Sequence, residues 1–225
     1  MNKTIRIARI TLNTYFKLFN RTVDAQGSIP SGPKIIAINH TPGFDPLYLP
    51  SMLDEPPHFL LQDGLFKIPV VGWLLKATGQ IPVYRGTDRA KEAKEKACSI
   101  LREGGTIVIF PEGKDVEFGK RIPAKTGAVR MALETGAPII PIGLFAPAET
   151  LTALNFHWDG SLRSGAWQFS GKSYLRVGAP WHPNARCDAH AQTEELMDRI
   201  YSLVSQAERD SKCESPTLPN LIPQW

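Results

Sequence analysis

The chain has only three cysteines in 225 residues, Cys98, Cys187 and Cys213. An odd and scattered set argues against a disulfide framework and favours reduced thiols in a cytoplasmic setting. Cys187 lies near His182 and His190, but the spacing matches no tight zinc pattern. We therefore expect neither structural disulfides nor a bound metal.

Long apolar runs are also missing. No stretch reaches the ~18 apolar residues of a spanning helix, and the first residues lack a signal-peptide layout. The net charge of +4 suggests an anionic surface or substrate and is too small for a nucleic-acid partner. A hydrophobic content of 42% in 225 residues suits one globular domain with a sizeable core.

The most informative feature that is present is a histidine five positions before an aspartate. His40 follows the apolar run 35–38, which predicts a buried strand, and Asp45 precedes Pro46 as a helix cap does. The turn residues 41–43 can fold the carboxylate back toward the imidazole. Such a pair can act as a general base, because the carboxylate fixes the tautomer and frees the other ring nitrogen. In isolation, a capping aspartate beside a strand-end histidine explains the pair equally well.

Three further predicted apolar strands end in polar residues or in proline and glycine. They lie in segments 79–86, 106–113 and 136–143, and the first two end in Arg85 and in Pro-Glu-Gly. Ligands of open α/β sheets bind at the carboxyl ends of the strands. We therefore expect histidine, aspartate, arginine and glutamate to share one cleft.

The remaining segments predict alternation of strands and helices. They comprise a strand at 58–61, helices at 88–102, 125–135 and 191–207, and late strands at 167–169 and 174–177. This alternation indicates an α/β fold with a mixed, largely parallel sheet covered by helices. The domain is predicted over 24–210, followed by an extended tail at 211–225.

Residues 1–23 predict an amphipathic helix, and no acidic residue precedes Asp24. At about 100° per residue, one side is apolar and the other is basic or amide-bearing. The apolar side holds Ile5, Ala8, Leu12, Tyr15, Phe16 and Phe19, and the other side holds Arg6, Arg9, Asn13, Lys17, Asn20 and Arg21. Such a helix can lie in a membrane interface. The alternative is a helix that packs its apolar stripe on the domain core.

Together, the four strand-end motifs resemble those of the glycerolipid acyltransferases, in order and approximate spacing. The resemblance runs from about residue 33 to 178 and includes the linking segment 65–73. It implies an O-acyltransferase related to the 1-acylglycerol-3-phosphate enzymes, peripheral to the cytoplasmic face of a membrane. The donor would be acyl-CoA or an acyl carrier protein thioester, with no cofactor. The acceptor would be a lysophospholipid, and 1-acylglycerol-3-phosphate, giving phosphatidic acid, is the first choice.

The chemistry agrees with this resemblance. His40, oriented by Asp45, would take the proton of the acceptor hydroxyl as it attacks the thioester. The chain has no Gly-x-Ser-x-Gly elbow, and no cysteine lies near His40, so a covalent enzyme intermediate is not expected. Backbone amides around Gly43 or near Gly143 are candidate oxyanion donors.

We expect a substrate-binding set of Asn39, Arg85, Glu112, Gly113, Lys114, Lys120 and Arg121. The resemblance implies Arg85, Glu112 and Gly113, whereas Lys114, Lys120 and Arg121, together with Lys125, are cations of this chain on which a phosphate site could draw. Arg85 would hold the acceptor phosphate with its forked guanidinium. The family usually has a small hydroxyl residue and arginine after Pro-Glu-Gly, and this chain has Lys114 and Asp115. It also has Gln-Asp-Gly at 62–64 where the family tends to carry lysine and glutamate, so another lysolipid acceptor is an alternative.

Two other functions remain open on the sequence alone. One is a non-catalytic lipid-binding relative that keeps the cleft, for which the missing arginine leaves room. The other is a thioesterase, in which water replaces the alcohol.

Overall fold

The computed structural model describes residues 14, 21–40, 49–84, 89–113, 121–158 and 161–213. The strands are β1 Arg21–Gln26, β2 Lys34–Ile38, β3 His58–Gln62, β4 Ile81–Val83, β5 Thr106–Ile109, β6 Ile139–Phe145, β7 Thr152–Trp158, β8 Ser161–Trp167 and β9 Gly171–Val177. The helices are α1 Leu49–Met52, α2 Pro69–Ala77, α3 Ala90–Arg102, α4 Gly127–Thr135 and α5 Ala189–Cys213. Short 3₁₀ turns cover Asp63–Lys67 and Ala148–Thr150.

Seven strands form one sheet in the order β1-β9-β6-β2-β5-β3-β4, and β7 pairs with β8 as a separate hairpin. Strands β6, β2, β5, β3 and β4 run parallel, while β9 is antiparallel to β6 and parallel to β1. The predicted α/β class with a mixed, largely parallel sheet is therefore confirmed.

The central strand β2 is buried on both faces, as its continuous apolar run predicts. Ile35 and Ala37 pack in one core with α3, α4 and α5, whereas Ile36 and Ile38 pack in a second core with Leu49. Because alternate side chains point to opposite faces of a strand, one short segment joins both cores. The residue that follows β2 is consequently attached to a strand that is buried on both faces.

The parallel strands β2 to β6 all end at one edge of the sheet, which we call the carboxyl edge. Strands β1 and β9 begin at this edge, since Arg21 is in register with Gly171, and Tyr174 with Phe145. The β7–β8 hairpin lies in the chain between the end of β6 and the start of β9. The carboxyl edge therefore collects the segments that follow β2, β3, β4, β5 and β6.

Strand β1 occupies residues 21–23, which the sequence assigned to the end of the N-terminal helix. Pairing with β9 accounts for the difference, and an ion pair supports it, because Arg176 of β9, only 1% exposed, places Nη1 3.0 Å from partly exposed Asp24 Oδ1. The rest of the predicted helix lies outside the described residues, apart from Thr14. None of the described helices is long and apolar enough to cross a bilayer.

The last helix also differs from its predicted bounds. It extends to Cys213, so residues 211–213, predicted as tail, are helical. Arg176 contributes here too, because its Nε donates to Asp210 Oδ2 at 2.7 Å. The predicted late strand at 167–169 overlaps the observed one at Trp167 alone, since β8 covers Ser161–Trp167. The remainder of the predicted tail lies outside the described residues.

Candidate active site

Asn39 is the first residue after β2, and its side chain extends the sheet pairing by one step. Its Nδ2 donates to the backbone oxygen of Leu144 at 3.0 Å, and the Leu144 N–H donates to Asn39 Oδ1 at 2.8 Å. The side chain is buried, so both bonds are shielded from water. This arrangement fixes where the chain leaves β2. The expected contact of Asn39 with substrate stays a prediction.

His40 is partly exposed at the carboxyl edge, and its ring packs against Phe110, the residue after β5. The ring centroids lie 4.5 Å apart at an interplanar angle of 40°. Its predicted partner Asp45 lies outside the described residues. The histidine therefore stands where the sequence predicts a base, while the carboxylate that would orient it stays a prediction.

Glu112 lies beneath the backbone of His40. Its carboxylate Oε2 accepts the His40 backbone N–H at 2.5 Å, and Oε1 accepts the hydroxyl of Tyr201 at 2.5 Å. The side chain is only 3% exposed. Burial raises the pKa of Glu112 above its ordinary value, although the hydrogen bonds from Tyr201 and His40 oppose that rise. Both carboxylate oxygens of Glu112 thus already accept hydrogen bonds from the protein. The expected contact of Glu112 with the acceptor stays a prediction.

Tyr201, on α5, is a site residue that the sequence analysis did not identify. Burial and the hydrogen bond to Glu112 raise the pKa of its hydroxyl well above the ordinary value, so the group stays protonated and donates. The residue lies on the buried stripe of α5 beside Met197 and Ile200. A phenol beside the apolar residues Leu196, Met197 and Ile200 is the signal in the sequence that could have drawn attention to it.

Gly113 allows the turn that directs Glu112 inward. Its φ of 68° lies in the left-handed region that favours glycine, and its N–H donates to Phe110 O at 3.0 Å. A Cβ at this position would lie 3.2 Å from Cε of Lys125, so the lysine side chain crosses directly over the glycine. Lys125 thereby brings a cation close to the Pro-Glu-Gly turn.

Arg121 is the one described member of the predicted cationic set 85, 114, 120 and 121. Its guanidinium carbon lies 4.5 Å from the ring centroid of Tyr201, and Nη1 donates to Asp198 Oδ1 at 2.7 Å. Both members of this ion pair are exposed. A surface pair of this kind is worth about 0–1 kcal/mol, so an anionic ligand could compete for the guanidinium.

Arg85, Lys114 and Lys120 lie outside the described residues, and the chain is described up to Tyr84 on the β4 side. Strand β4 lies three strands from β2 in the sheet. At ~4.8 Å per strand, the two strand ends are about 14 Å apart. Within the described ranges, no group of three or more histidines, cysteines or acidic residues could hold a metal ion.

The profile of the family described as Acyltransferase matches residues 20–144, more than half of the chain. The chain belongs to the Acyltransferase family. The match includes His40 and Glu112 and confirms the resemblance that the motifs suggested.

Relatives and a solved structure agree with this assignment. The chain is 30% identical over 149 residues to the chloroplastic 1-acyl-sn-glycerol-3-phosphate acyltransferase BAT2 of Brassica napus, covering 64% of this chain and 42% of that protein. It is 36% identical over 125 residues to the 1-acyl-sn-glycerol-3-phosphate acyltransferase of Borreliella burgdorferi, covering 55% of this chain and 50% of the relative.

The fold is shared with a crystal structure of the 1-acyl-sn-glycerophosphate acyltransferase PlsC of Thermotoga maritima. The TM-score is 0.68 at 22% identity, with 91% of this chain and 79% of that one covered. The Acyltransferase domain of this chain therefore has the PlsC fold. The chain spans about half or less of the length of the first curated relatives it matches.

Proposed function

We propose that this protein transfers a fatty acyl group from an acyl thioester to the free hydroxyl of a lysophospholipid. The acceptor of first choice is 1-acylglycerol-3-phosphate, which would give phosphatidic acid. The observation that carries the proposal is His40 at the carboxyl edge, with its backbone held by buried Glu112 within the region matched by the family profile. The names of the relatives support the choice of acceptor.

The reaction needs one base and no covalent enzyme intermediate. His40 accepts the proton of the acceptor hydroxyl as its oxygen attacks the thioester carbonyl. The tetrahedral intermediate then collapses, the carbon–sulfur bond breaks, and the proton on His40 passes to the departing thiolate. Base catalysis of this kind contributes about 10²–10⁴ in rate, and positioning of the two substrates supplies more.

The acceptor phosphate would be held by the cationic residues Arg85, Lys114, Lys120 and Arg121. Arg121 supports this idea because its ion pair with Asp198 is exposed and therefore weak. Lys125, which crosses Gly113, is a further cation beside the same turn. The about 14 Å between the ends of β2 and β4 leaves room for an acceptor between the candidate base and the end of β4.

Residues before β1 would attach the domain to the cytoplasmic face of a membrane. The basic and apolar composition of residues 1–20 supports this role. Because β1 begins at the carboxyl edge, this segment joins the sheet at the edge that carries His40. The acceptor lipid and the candidate base would then meet at one surface.

The test is an acyl-transfer assay with labelled acyl-CoA and acyl carrier protein as alternative donors and a panel of lysolipids as acceptors. We expect the largest product yield with 1-acylglycerol-3-phosphate and a loss of at least about 10²-fold in His40→Ala. Thiol release at the same rate without acceptor would instead identify a thioesterase. No turnover of any donor would leave a lipid-binding relative.

A further inference from the structure

Helix α2, which follows the carboxyl end of β3, presents its apolar residues to solvent. Val70 is 77% exposed and Trp73 is 65% exposed, and Val71 and Leu74 are also exposed. These are four of the six large hydrophobic side chains exposed in the described part of the chain. Exposed apolar residues that lie together on one element mark an interaction surface rather than ordinary surface scatter.

The side of α2 that faces the protein is the glycine side. Gly72 is buried, and a Cβ at this position would overlap the backbone of Phe66 in the preceding 3₁₀ turn. At about 100° per residue, Val70 and Leu74 lie nearly opposite Gly72, and Trp73 lies to one side of them. The usual surface helix is the reverse, with its apolar stripe inward and its polar face in water. Among the residues that the structure describes, none therefore covers the apolar outward face of α2.

Lysines flank this apolar face. Lys67 precedes α2 and Lys76 lies in its last turn, and both are exposed. The one acidic residue from 63 to 77 is Asp63, whose Oδ2 lies 3.5 Å from Lys67 Nζ. An apolar face with cations beside it matches the interface of a bilayer that contains anionic lipids.

The other exposed large hydrophobic residues, Leu154 and Phe169, lie on segments that connect to the same carboxyl edge. Leu154 is in the hairpin that follows β6, and Phe169 precedes the start of β9. Every large apolar side chain that the structure describes as exposed thus belongs to a segment that leaves or re-enters the sheet at the edge carrying His40.

We propose that α2 is a membrane-docking helix that inserts Val70, Trp73 and Leu74 into the interface of an anionic bilayer. Docking through this face would bring the carboxyl edge toward the lipid in which a lysophospholipid acceptor lies. The choice of acceptor rests on the proposed function, but the docking is measured by itself. A second copy of the chain fits less well, because a stable dimer buries about 800 Å² on each partner and α2 offers one narrow strip.

The experiment measures binding of the full chain to vesicles by flotation. The vesicles contain either zwitterionic phosphatidylcholine alone or phosphatidylcholine with phosphatidylglycerol. The variants are the double substitution Val70→Ser with Trp73→Ser, and the matched control Trp73→Phe, which keeps an apolar ring. Acyl transfer is measured in parallel on a lysolipid embedded in the vesicles and on the same lysolipid dispersed in detergent.

We expect the wild type and Trp73→Phe to float with the anionic vesicles. The double variant should bind them at least about tenfold more weakly, because two inserted side chains are lost. Its activity on vesicle-embedded acceptor should fall in parallel, while activity on detergent-dispersed acceptor should stay within about twofold of wild type.

Equal flotation of the double variant and the wild type would overturn the proposal, and so would a wild type that binds neither vesicle. If the double variant loses activity in both formats and floats as the wild type does, α2 belongs to the substrate pocket. If the wild type forms a concentration-dependent dimer that the double variant does not form, the face serves self-association. If the wild type transfers no acyl group in either format, the proposed function fails, and flotation alone still decides the role of α2.

Discussion

Replacing Tyr201 with phenylalanine removes one hydroxyl and leaves buried Glu112 with one hydrogen-bond donor instead of two. The lost bond is 2.5 Å long and ends on a carboxylate that is 3% exposed. A hydrogen bond to a charged group contributes about 1.5–3 kcal/mol, and a buried acceptor left without its donor adds a desolvation penalty. We therefore expect the free energy of unfolding to fall by about 1.5–3 kcal/mol.

The same substitution should lower kcat more than it raises KM. Glu112 contacts His40 through the backbone N–H, so a carboxylate with one donor holds the candidate base less firmly, and Tyr201 itself is not among the predicted substrate-binding residues. If about half of the lost free energy of unfolding also raises the activation free energy of acyl transfer, kcat falls about 4- to 13-fold. Steady-state acyl transfer and denaturant unfolding would be measured on the same preparations.

The pH dependence gives a second readout. Burial raises the pKa of Glu112 above its ordinary value of 4.5, so the folded protein holds this proton more tightly than the unfolded chain does. The resulting stability is fully present below pH 4.5 and is lost as the pH rises through the raised pKa. Without the Tyr201 hydroxyl, which lowers the pKa of Glu112, this loss should extend to higher pH.

Ser205→Ala is the matched control, because it also removes a hydroxyl from α5. That hydroxyl donates to the Tyr201 backbone oxygen in an exposed position, so we expect a change in unfolding free energy of less than about 0.5 kcal/mol. In an E112Q background, Tyr201→Phe should cost less than it does alone, since no buried charge remains. The reasoning would be refuted by a Tyr201→Phe protein with wild-type stability and kcat, or by one in which only KM changes.

Two further substitutions test other parts of the domain. Glu55→Gln removes the negative charge beside Lys34, which is buried and places Nζ 2.6 Å from Glu55 Oε1. The hydrogen bond from Lys34 lowers the pKa of Glu55, so the stability of the wild type should fall as the pH drops through that lowered pKa. Thermal unfolding at several pH values should show this loss at acid pH in the wild type and not in the variant. Gly113→Ala places a Cβ at a φ of 68° against Lys125, so we expect a cost of about 1–2 kcal/mol and a lower kcat, and wild-type activity and stability would show that the turn tolerates a side chain.

The elements that the sequence predicts well are those whose burial is local and continuous. Strand β2 is apolar at 35–38 and is buried on both faces, so no knowledge of its partners was needed. The helix predicted at 125–135 ends at Gly136, whose φ of 74° is the left-handed conformation expected of a glycine cap. His40 and Glu112 were found because they lie two and three residues after the ends of such strands.

The parts that sequence reasoning missed depend on contacts between distant residues. Strand β1 is largely polar, and it is held by β9 and by Arg176, which lies 152 positions from Asp24. Tyr201 reaches Glu112 across 89 positions, and no pattern along α5 reveals that contact. The role of Glu112 beneath His40 was also hidden, because the motif identifies the residue but not the atoms that it contacts.

The contact between Glu112 and Tyr201 has a consequence for exchanging segments between relatives. The family profile covers residues 20–144 and therefore includes the carboxylate, while the phenol that supports it comes from α5, beyond that range. A chimera that joins this profile region to a foreign last helix would need a hydroxyl donor at the position of Tyr201. Without that donor, the carboxylate that holds the backbone of the candidate base would lose one of its two hydrogen bonds.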